Sequence, residues 1–367
     1  MHLNRIVLHD FKNISDADLS FSEKINCISG SNGAGKTNLM EAVYYLSMTK
    51  SCFSTPDNLI CRFGCEEALF SGFYTMDDGR EEKIGVKLAK GGKSVLRGGK
   101  PYERFSDHIG LLPVVMVSPY DASLVNEGGE ERRRYLNALI SQIDREYLRH
   151  LQSYNSLLLR RNKVLREGGS LAALTETITM QMAPHAAYIH EARRRLCEEL
   201  LPVVATLYRD ISGGGEEASM RYRSQLNETP FETLMEQGLE RDMVLGFTHS
   251  GLQRDDIEFT LDGHPLRRCG SQGQQKSFLL ALKTAQLFIM RERCTAKPIL
   301  LLDDLFDKLD LDRVSNLIKL VSGAAFGQIF ISDSNTSRLA SLVEATGGDC
   351  SHFVVKSGIV TPTGERP

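Results

Sequence analysis

The chain has 367 residues, a length that predicts about two domains. A chain of this size buries about three quarters of its unfolded surface, so it needs neither disulfides nor a structural metal to fold. Hydrophobic residues make up 41% and charged residues 25%, which excludes disorder, collagen and a coiled-coil rod as readings of the whole chain. Lys plus Arg number 44 against 47 Asp plus Glu, a formal charge of −3. That excludes a globally basic nucleic-acid binder but leaves room for a local basic patch. Met1 to Arg5 lead into alternating polar and apolar residues rather than an apolar secretory segment. No apolar run approaches the roughly 18 residues of a membrane span, so the expected location is cytoplasmic, with no membrane partner. The eight cysteines, Cys27, Cys52, Cys61, Cys65, Cys197, Cys269, Cys294 and Cys350, form no C-x-x-C pair. They are expected to be buried small hydrophobes in a reducing compartment rather than zinc ligands.

In chain order, Leu3, Ile6, Leu8 and Phe11 predict a half-buried strand, and Lys24 to Ser29 a second one. The latter runs into Gly30-Ser31-Asn32-Gly33-Ala34-Gly35-Lys36-Thr37 and then a helical pattern from Asn38 to Leu46. Residues 58–118 read as strands and Gly-rich turns, making the first block α/β. Composition changes near Asp121. Tyr147, Leu151, Tyr154, Leu158 and Leu165, then Ile189, Leu196, Leu200, Val203 and Leu207, carry the rhythm of packed helices. Gly168-Gly169 separates the two sets, so a helical hairpin is expected. Pro184 and Pro202 are expected to start or kink its second helix, because an interior proline costs about 3 kcal/mol. After Gly213-Gly214-Gly215 the pattern is mixed, and a strand-helix-strand unit spans Pro298 to Ser334.

Gly30 to Thr37 is a G-x-x-x-x-G-K-T phosphate loop between a strand and a helix, the context the motif requires. Its glycines let the backbone wrap a phosphate chain, and the helix N-terminus presents free N–H groups. Lys36 supplies a point charge at the β/γ-phosphates and Thr37 a hydroxyl to Mg²⁺. Pro298 to Leu302, followed by Asp303 and Asp304, reads as a buried parallel strand with carboxylates at its C-terminal edge, where open α/β sheets bind ligands. Asp303 is expected to hold Mg²⁺ and Asp304 to orient and deprotonate the attacking water. More than half the chain separates the two motifs, which an insertion explains. Between them lies Ser271-Gln272-Gly273-Gln274. Alone this is also an ordinary helix N-cap, but in the order phosphate loop, Ser-x-Gly-Gln, acidic strand it resembles the signature motif of ATP-binding-cassette (ABC) ATPases.

Together these residues resemble the RecF family, related to the head domains of SMC proteins. Phe11-Lys12-Asn13, Asn32 to Asn38 with Glu41-Ala42, Ser118 to Asp121 with Leu124-Val125, Arg132 to Leu136, Arg254-Asp255-Asp256, Ser271 to Gln274 and the Asp303-Asp304 pair carry the likeness. Tyr120 stands where the family pattern has Glu, Leu252-Gln253 replaces Pro-His, and an arginine is missing near Phe53. The resemblance implies an α/β, ABC-type P-loop ATPase head with an inserted, mainly helical second domain. The expected parts are residues 1–120 and 246–367 as the two halves of the ATPase domain and 121–245 as the insert. It further implies ATP and Mg²⁺ at Gly30, Ser31, Asn32, Gly33, Ala34, Gly35, Lys36, Thr37 and Asn38, with metal held by Thr37 and Asp303. Ser271, Gln272, Gly273 and Gln274 would act in trans across an ATP-dependent homodimer, and Leu309-Asp310 would form the D-loop. A weak, DNA-stimulated ATPase that binds gapped, single- or double-stranded DNA and works with RecO, RecR and RecA in repair, replication restart and the SOS response completes the implication.

Support for DNA binding from the residues alone is a stripe of six cations, Arg145, Arg149, Arg160, Arg161, Lys163 and Arg166, against Glu146. Such a stripe tracks phosphates, with Arg149, Arg160, Arg161 and Lys163 as candidate contacts. It also serves as the solvated face of a helical hairpin. Arg132 to Arg134 and Arg193 to Arg195 read as solvated or paired within the chain. Of the competing functions, an ATP-driven nuclease needs a carboxylate cluster that the sequence does not show after Ser334, and a transporter motor needs no helical insert of this length.

Overall fold

The computed structural model describes residues 1–167, 172–304, 326–346 and 350–363. Two compact units emerge, Met1–Asp121 with Gln286–Pro367, and Ala122–Ala285. The first unit opens with β1 (His2–Phe11), β2 (Ile14–Ser20), β3 (Ile25–Ser29), α1 (Lys36–Met48), β4 (Glu67–Thr75), β5 (Glu81–Ala89), β6 (Gly92–Arg97), β7 (Lys100–Pro101) and β8 (Val114–Val117). The second holds α2 (Ser123–Asn126), α3 (Gly129–Ile143), α4 (Arg145–Glu167), α5 (Ala172–Ser212), β9 (Ala218–Arg223), α6 (Phe231–Gln237), α7 (Leu239–Leu245), β10 (Asp256–Leu261), β11 (His264–Pro265), α8 (Leu266–Cys269) and the first part of α9 (Gln272–Arg293). The first unit then ends with β12 (Ile299–Leu302), β13 (Ile329–Asp333), α10 (Thr336–Thr346), β14 (Cys350–Lys356) and β15 (Ile359–Thr363). Residues 246–285, expected with the second half of the ATPase domain, thus group with the inserted unit, because β10 pairs with β9 and Asp255 and Asp256 bond to Arg193 and Arg132.

The first unit contains two six-stranded sheets, ordered β2-β1-β4-β5-β6-β7 and β15-β14-β3-β13-β12-β8. β1 keeps Leu3, Ile6, Leu8 and Phe11 buried despite their uneven spacing. A register shift against β4 between Leu3 and Arg5 and the left-handed backbone of Asp10 (φ 51°) bring each apolar residue back to the inner face. In the second sheet β3, β8, β12 and β13 are buried along their whole length and pair in parallel, as strands covered on both faces do. α1 touches β1, β4 and β5 of one sheet and β8 and β13 of the other. Residues 305–325, which include the expected helix between β12 and β13 together with Leu309 and Asp310, lie outside the described residues.

In the second unit α4 and α5 pack as the expected antiparallel hairpin, with Arg161 meeting Thr179, His150 meeting His185 and Arg193 meeting Tyr147. The Gly168-Gly169 turn lies outside the described residues. Tyr147, Tyr154, Leu165, Ile189, Leu196, Leu200 and Leu207 are buried as the rhythm predicts, Leu151 and Leu158 are only half-buried, and Val204 stands in the place expected of Val203. Pro184 and Pro202 do not start the helix: α5 runs through both. Both prolines are exposed, on the side of α5 away from its packed face. Of the cysteines, Cys27 and Cys197 are buried, Cys269 is exposed and the other five are intermediate, so the expectation of wholesale burial holds for two only.

Candidate nucleotide-binding site

The phosphate loop leaves the buried end of β3 and enters α1 at Gly35, whose left-handed backbone (φ 117°) no β-carbon would tolerate comfortably. A β-carbon there would also stand 2.7 Å from Asn13 Oδ1, and one on Gly30 would stand 2.4 Å from the Val355 carbonyl. Because Gly35 offers no side chain, the first-turn amides of α1 keep their outward donors. Two flanking elements brace the loop. Asn13 donates from Nδ2 to Ala34 O at 3.1 Å and accepts from Asn38 Nδ2 at 2.8 Å. Gly358, in the turn between β14 and β15, donates its amide to the same Ala34 carbonyl at 2.8 Å. The Lys12-Asn13 step, quoted above only as part of a family pattern, thus has a physical role that spacing did not reveal.

Lys36 is 3% exposed, and its ammonium donates to the carbonyls of Gly30 at 3.0 Å and Ser31 at 3.4 Å. Its Nζ stands 3.6 Å from Asp304 Oδ1. Thr37 Oγ1 donates to Asp303 Oδ2 at 2.8 Å, and Ser332 Oγ, at the end of β13, donates to Asp303 Oδ1 at 2.6 Å. Burial raises the Asp303 carboxyl above the ordinary carboxylate range, opposed by these two hydroxyls and by Lys36. Asp304 adopts a left-handed backbone (φ 42°), and its amide donates to Ser332 Oγ at 3.0 Å. The parallel pairing of β12 with β13, and of β13 with β3, is what delivers the acidic pair to the loop. A threonine hydroxyl and a carboxylate oxygen converging at hydrogen-bond distance are hard oxygen donors, the set that suits Mg²⁺.

Two departures from the family pattern meet in space. Phe53 and Tyr120 lie with ring centroids 4.7 Å apart, and Lys12 Nζ is 5.8 Å from the Phe53 ring. A ring contact therefore involves Tyr120, which stands where the pattern has an acid, and Phe53, near which an arginine is expected. Lys12 is ion-paired with the fully buried Glu41, which also accepts from Ser51. The third departure is likewise built in: Gln253 Oε1 accepts from Tyr154 OH at 3.1 Å and Leu252 O from Arg193 at 3.2 Å.

In the second unit, Ser271 and Gln274 form a reciprocal capping box at the start of α9. Ser271 N donates to Gln274 Oε1 at 2.5 Å and Gln274 N to Ser271 Oγ at 3.3 Å. Gln272 and Gly273 are exposed beside them. Of the cationic stripe, Arg145, Arg149, Arg160, Lys163 and Arg166 are exposed. Arg161 is not available to a phosphate. It is 1% exposed, paired with Asp242 at 2.6 Å and bonded to Thr248 at 2.6 Å. The Arg132 and Arg193 clusters are paired within the chain, Arg132 with both carboxylate oxygens of Asp256 and Arg193 with Asp255. No helix among the described residues is long and apolar enough to cross a membrane.

Comparison with known proteins gives these features a family. Residues 2–348 match the RecF/RecN/SMC N-terminal domain model. Curated relatives described as DNA replication and repair protein RecF include one from Parabacteroides distasonis, 43% identical with both chains wholly covered. Another, from Porphyromonas gingivalis, is 41% identical over 98% of this chain and 99% of its own. A solved structure described as the recombination mediator protein RecF with ATP in the RecFOR pathway has a TM-score of 0.90 at 30% identity, covering 99% and 97% of the two chains. An SMC head domain from Pyrococcus furiosus shares the fold at a TM-score of 0.57 and 16% identity, over 99% of this chain and 96% of its own. The fold is that of an ABC-type ATPase head, and the chain belongs to the RecF family.

Proposed function

We propose that the protein is an ATP-driven clamp for DNA in recombinational repair. The observation that carries this reading is the Thr37–Asp303 hydrogen bond at 2.8 Å, which joins the phosphate loop to the acidic strand across 266 positions of sequence. In this reading Gly30 to Asn38 wrap the triphosphate with backbone amides, and Lys36, already positioned by its own loop carbonyls, neutralises the β/γ-phosphates. Thr37 and Asp303 hold Mg²⁺, whose chemistry when bound is to offset the charge on the transferring phosphoryl group. Asp304 orients the attacking water and accepts its proton, its carboxylate held near Lys36.

Ser271 to Gln274 complete the site of a second copy of the chain, so ATP closes a homodimer and hydrolysis reopens it. The exposed cations Arg149, Arg160 and Lys163 contribute phosphate contacts to duplex or gapped DNA, and a sequence-independent mode is expected of backbone binding. The RecFOR description of the solved relative supports RecO and RecR as partners, with RecA loading at gaps as the outcome and slow, DNA-stimulated hydrolysis as the reset. Leu309 and Asp310, as the D-loop, belong to the same proposal. Sedimentation with ATP, ADP or no nucleotide, each with and without gapped DNA, tests it. An ATP-specific dimer that retains DNA is expected, and a monomer under all six conditions would overturn the clamp.

A further inference from the structure

The signature stretch Ser271 to Gln274 does not cap α9 in isolation. The Gln274 side chain, whose oxygen accepts from Ser271 N, turns its amide nitrogen to Glu216 Oε1. The other oxygen of Glu216 accepts from Tyr208 OH at 2.5 Å. Tyr208 is wholly buried on the last turns of the 41-residue helix α5, and its ring also faces Phe278 of α9, with centroids 6.2 Å apart. Between Tyr208 and Glu216 the chain passes through Gly213, Gly214 and Gly215, all left-handed, where an added β-carbon would meet nothing within 4 Å. Gly213 and Gly214 donate their amides to Arg209 O, and Glu216 adds the side-chain tie from this connection to α5 and α9. A carboxylate accepting from two donors on two helices fixes both at once, because bonds to an ionised acceptor are about twice as strong as neutral ones.

We propose that Glu216 is a positioning residue for the signature stretch: it holds Gln274, and through the capping box Ser271, in the orientation that a second subunit's nucleotide requires, and ties that orientation to the end of α5. The proposal rests on the in-trans role of Ser271 put forward above. Glu216 itself touches no nucleotide. The bond network predicts a split between two measurements. Among the described residues the hydrogen-bond partners of Glu216 are Gln274 and Tyr208, so ATP binding by one subunit stays, whereas closure and turnover suffer.

The test uses the full chain with a fluorescent ATP analogue for binding, sedimentation for dimer formation and phosphate release for turnover. Glu216→Ala is expected to bind the analogue within about twofold of the parent, to need about tenfold more protein for half-maximal ATP-dependent dimer and to lose about tenfold in kcat, the scale of one charge-assisted hydrogen bond. Glu216→Gln, which keeps an oxygen for Gln274, is expected to recover most of both. Tyr208→Phe leaves the carboxylate but removes its tether, so it should show the same split more weakly. It also serves if Glu216→Ala does not fold. Parental dimerisation and kcat in both Glu216→Ala and Tyr208→Phe, while Ser271→Arg abolishes the dimer, would overturn the positioning role alone. Parental behaviour in Ser271→Arg would overturn the in-trans reading and this proposal with it.

Discussion

Lys36 Nζ lies 3.6 Å from Asp304 Oδ1 while donating to two carbonyls of its own loop. The ammonium is buried, with a carboxylate beside it to balance its charge. Lys36→Met keeps an unbranched apolar stem and removes the ammonium, with both its charge and its donors to Gly30 and Ser31. ATP affinity and hydrolysis should fall together, turnover by about 100-fold, the scale seen when one preorganised donor is deleted. Equilibrium binding and phosphate release check this, and a variant with parental turnover would place the chemistry elsewhere.

Asp304→Asn separates binding from chemistry. The amide keeps the shape and the backbone bond to Ser332 Oγ, but it no longer accepts a proton. Nucleotide affinity should stay close to parental while hydrolysis falls by about 100-fold, within the usual range for removal of a general base. The variant should accumulate as an ATP-bound dimer in sedimentation. Undiminished hydrolysis would assign the base to another residue.

Asn13 is the test of the brace behind the loop. Its side chain makes two hydrogen bonds, to Ala34 O and from Asn38 Nδ2, and lies against the β-carbon position that Gly35 leaves vacant. Asn13→Ala should leave the fold intact and weaken ATP binding by about tenfold, since each such bond is worth about 1 kcal/mol net. Calorimetric titration of ATP and a thermal melt together check this. A large loss of melting temperature with unchanged affinity would make Asn13 a residue of the fold rather than of the site.

How far the sequence foretold this arrangement depended on whether each signal was local. The phosphate loop was legible because its glycines, lysine and threonine are consecutive and flanked by a strand and a helix. The acidic pair was legible as the end of an apolar strand, but its closeness to Thr37 follows from strand order, with β13 lying between β3 and β12, and no local pattern records that order. Asn13 was visible only as part of a motif, because its partner Ala34 comes from a different element. Arg161 was misread for the same reason. It sits beside other cations in sequence, but at about 3.6 residues per turn it falls in line with Tyr154 and Leu165 on the buried face of α4, where the fold brings Asp242, 81 positions away, to pair with it. Neither proline marks the start of α5, which begins at Ala172, 12 positions before Pro184.

The distinction between Arg160 and Arg161 yields opposite expectations for adjacent residues. Arg160→Ala should weaken duplex DNA binding and lower the salt slope by about one contact, because each phosphate contact releases counterions. Arg161→Ala should act through stability instead, leaving Asp242, 1% exposed, as a buried charge without its arginine, at a cost of about 3 kcal/mol. Salt-dependent DNA titrations and urea unfolding of both variants decide the matter. A salt slope that changes for Arg161→Ala in a fully folded protein would return that residue to the interface.

Acid sensitivity follows from four histidines that the fold keeps neutral. Burial lowers the pKa of His108, His185, His190 and His352 below the ordinary histidine value. His108 is the deepest: it is wholly buried, with Nε2 2.7 Å from Leu46 O and Nδ1 3.2 Å from Tyr102 OH. In the unfolded chain such a ring takes up a proton near pH ~6.5, whereas in the folded chain it does so only at lower pH. Stability is therefore fully present above that value and declines as pH falls below it, by at most about 1.4 kcal/mol per unit for each ring. His9 has the opposite sign, because its hydrogen bond to Asp16 raises its pKa, but it lies exposed on the surface, where water screens the effect. Carboxylates held low by arginine, such as Glu82 beside Arg97, lose their contribution only nearer pH ~4. Urea midpoints should drop between pH 7.5 and 5.5 for the parent and drop less for His108→Gln, which keeps a donor for Leu46 O but does not titrate. An equal drop in both proteins would show that His108 takes no part in the acid response.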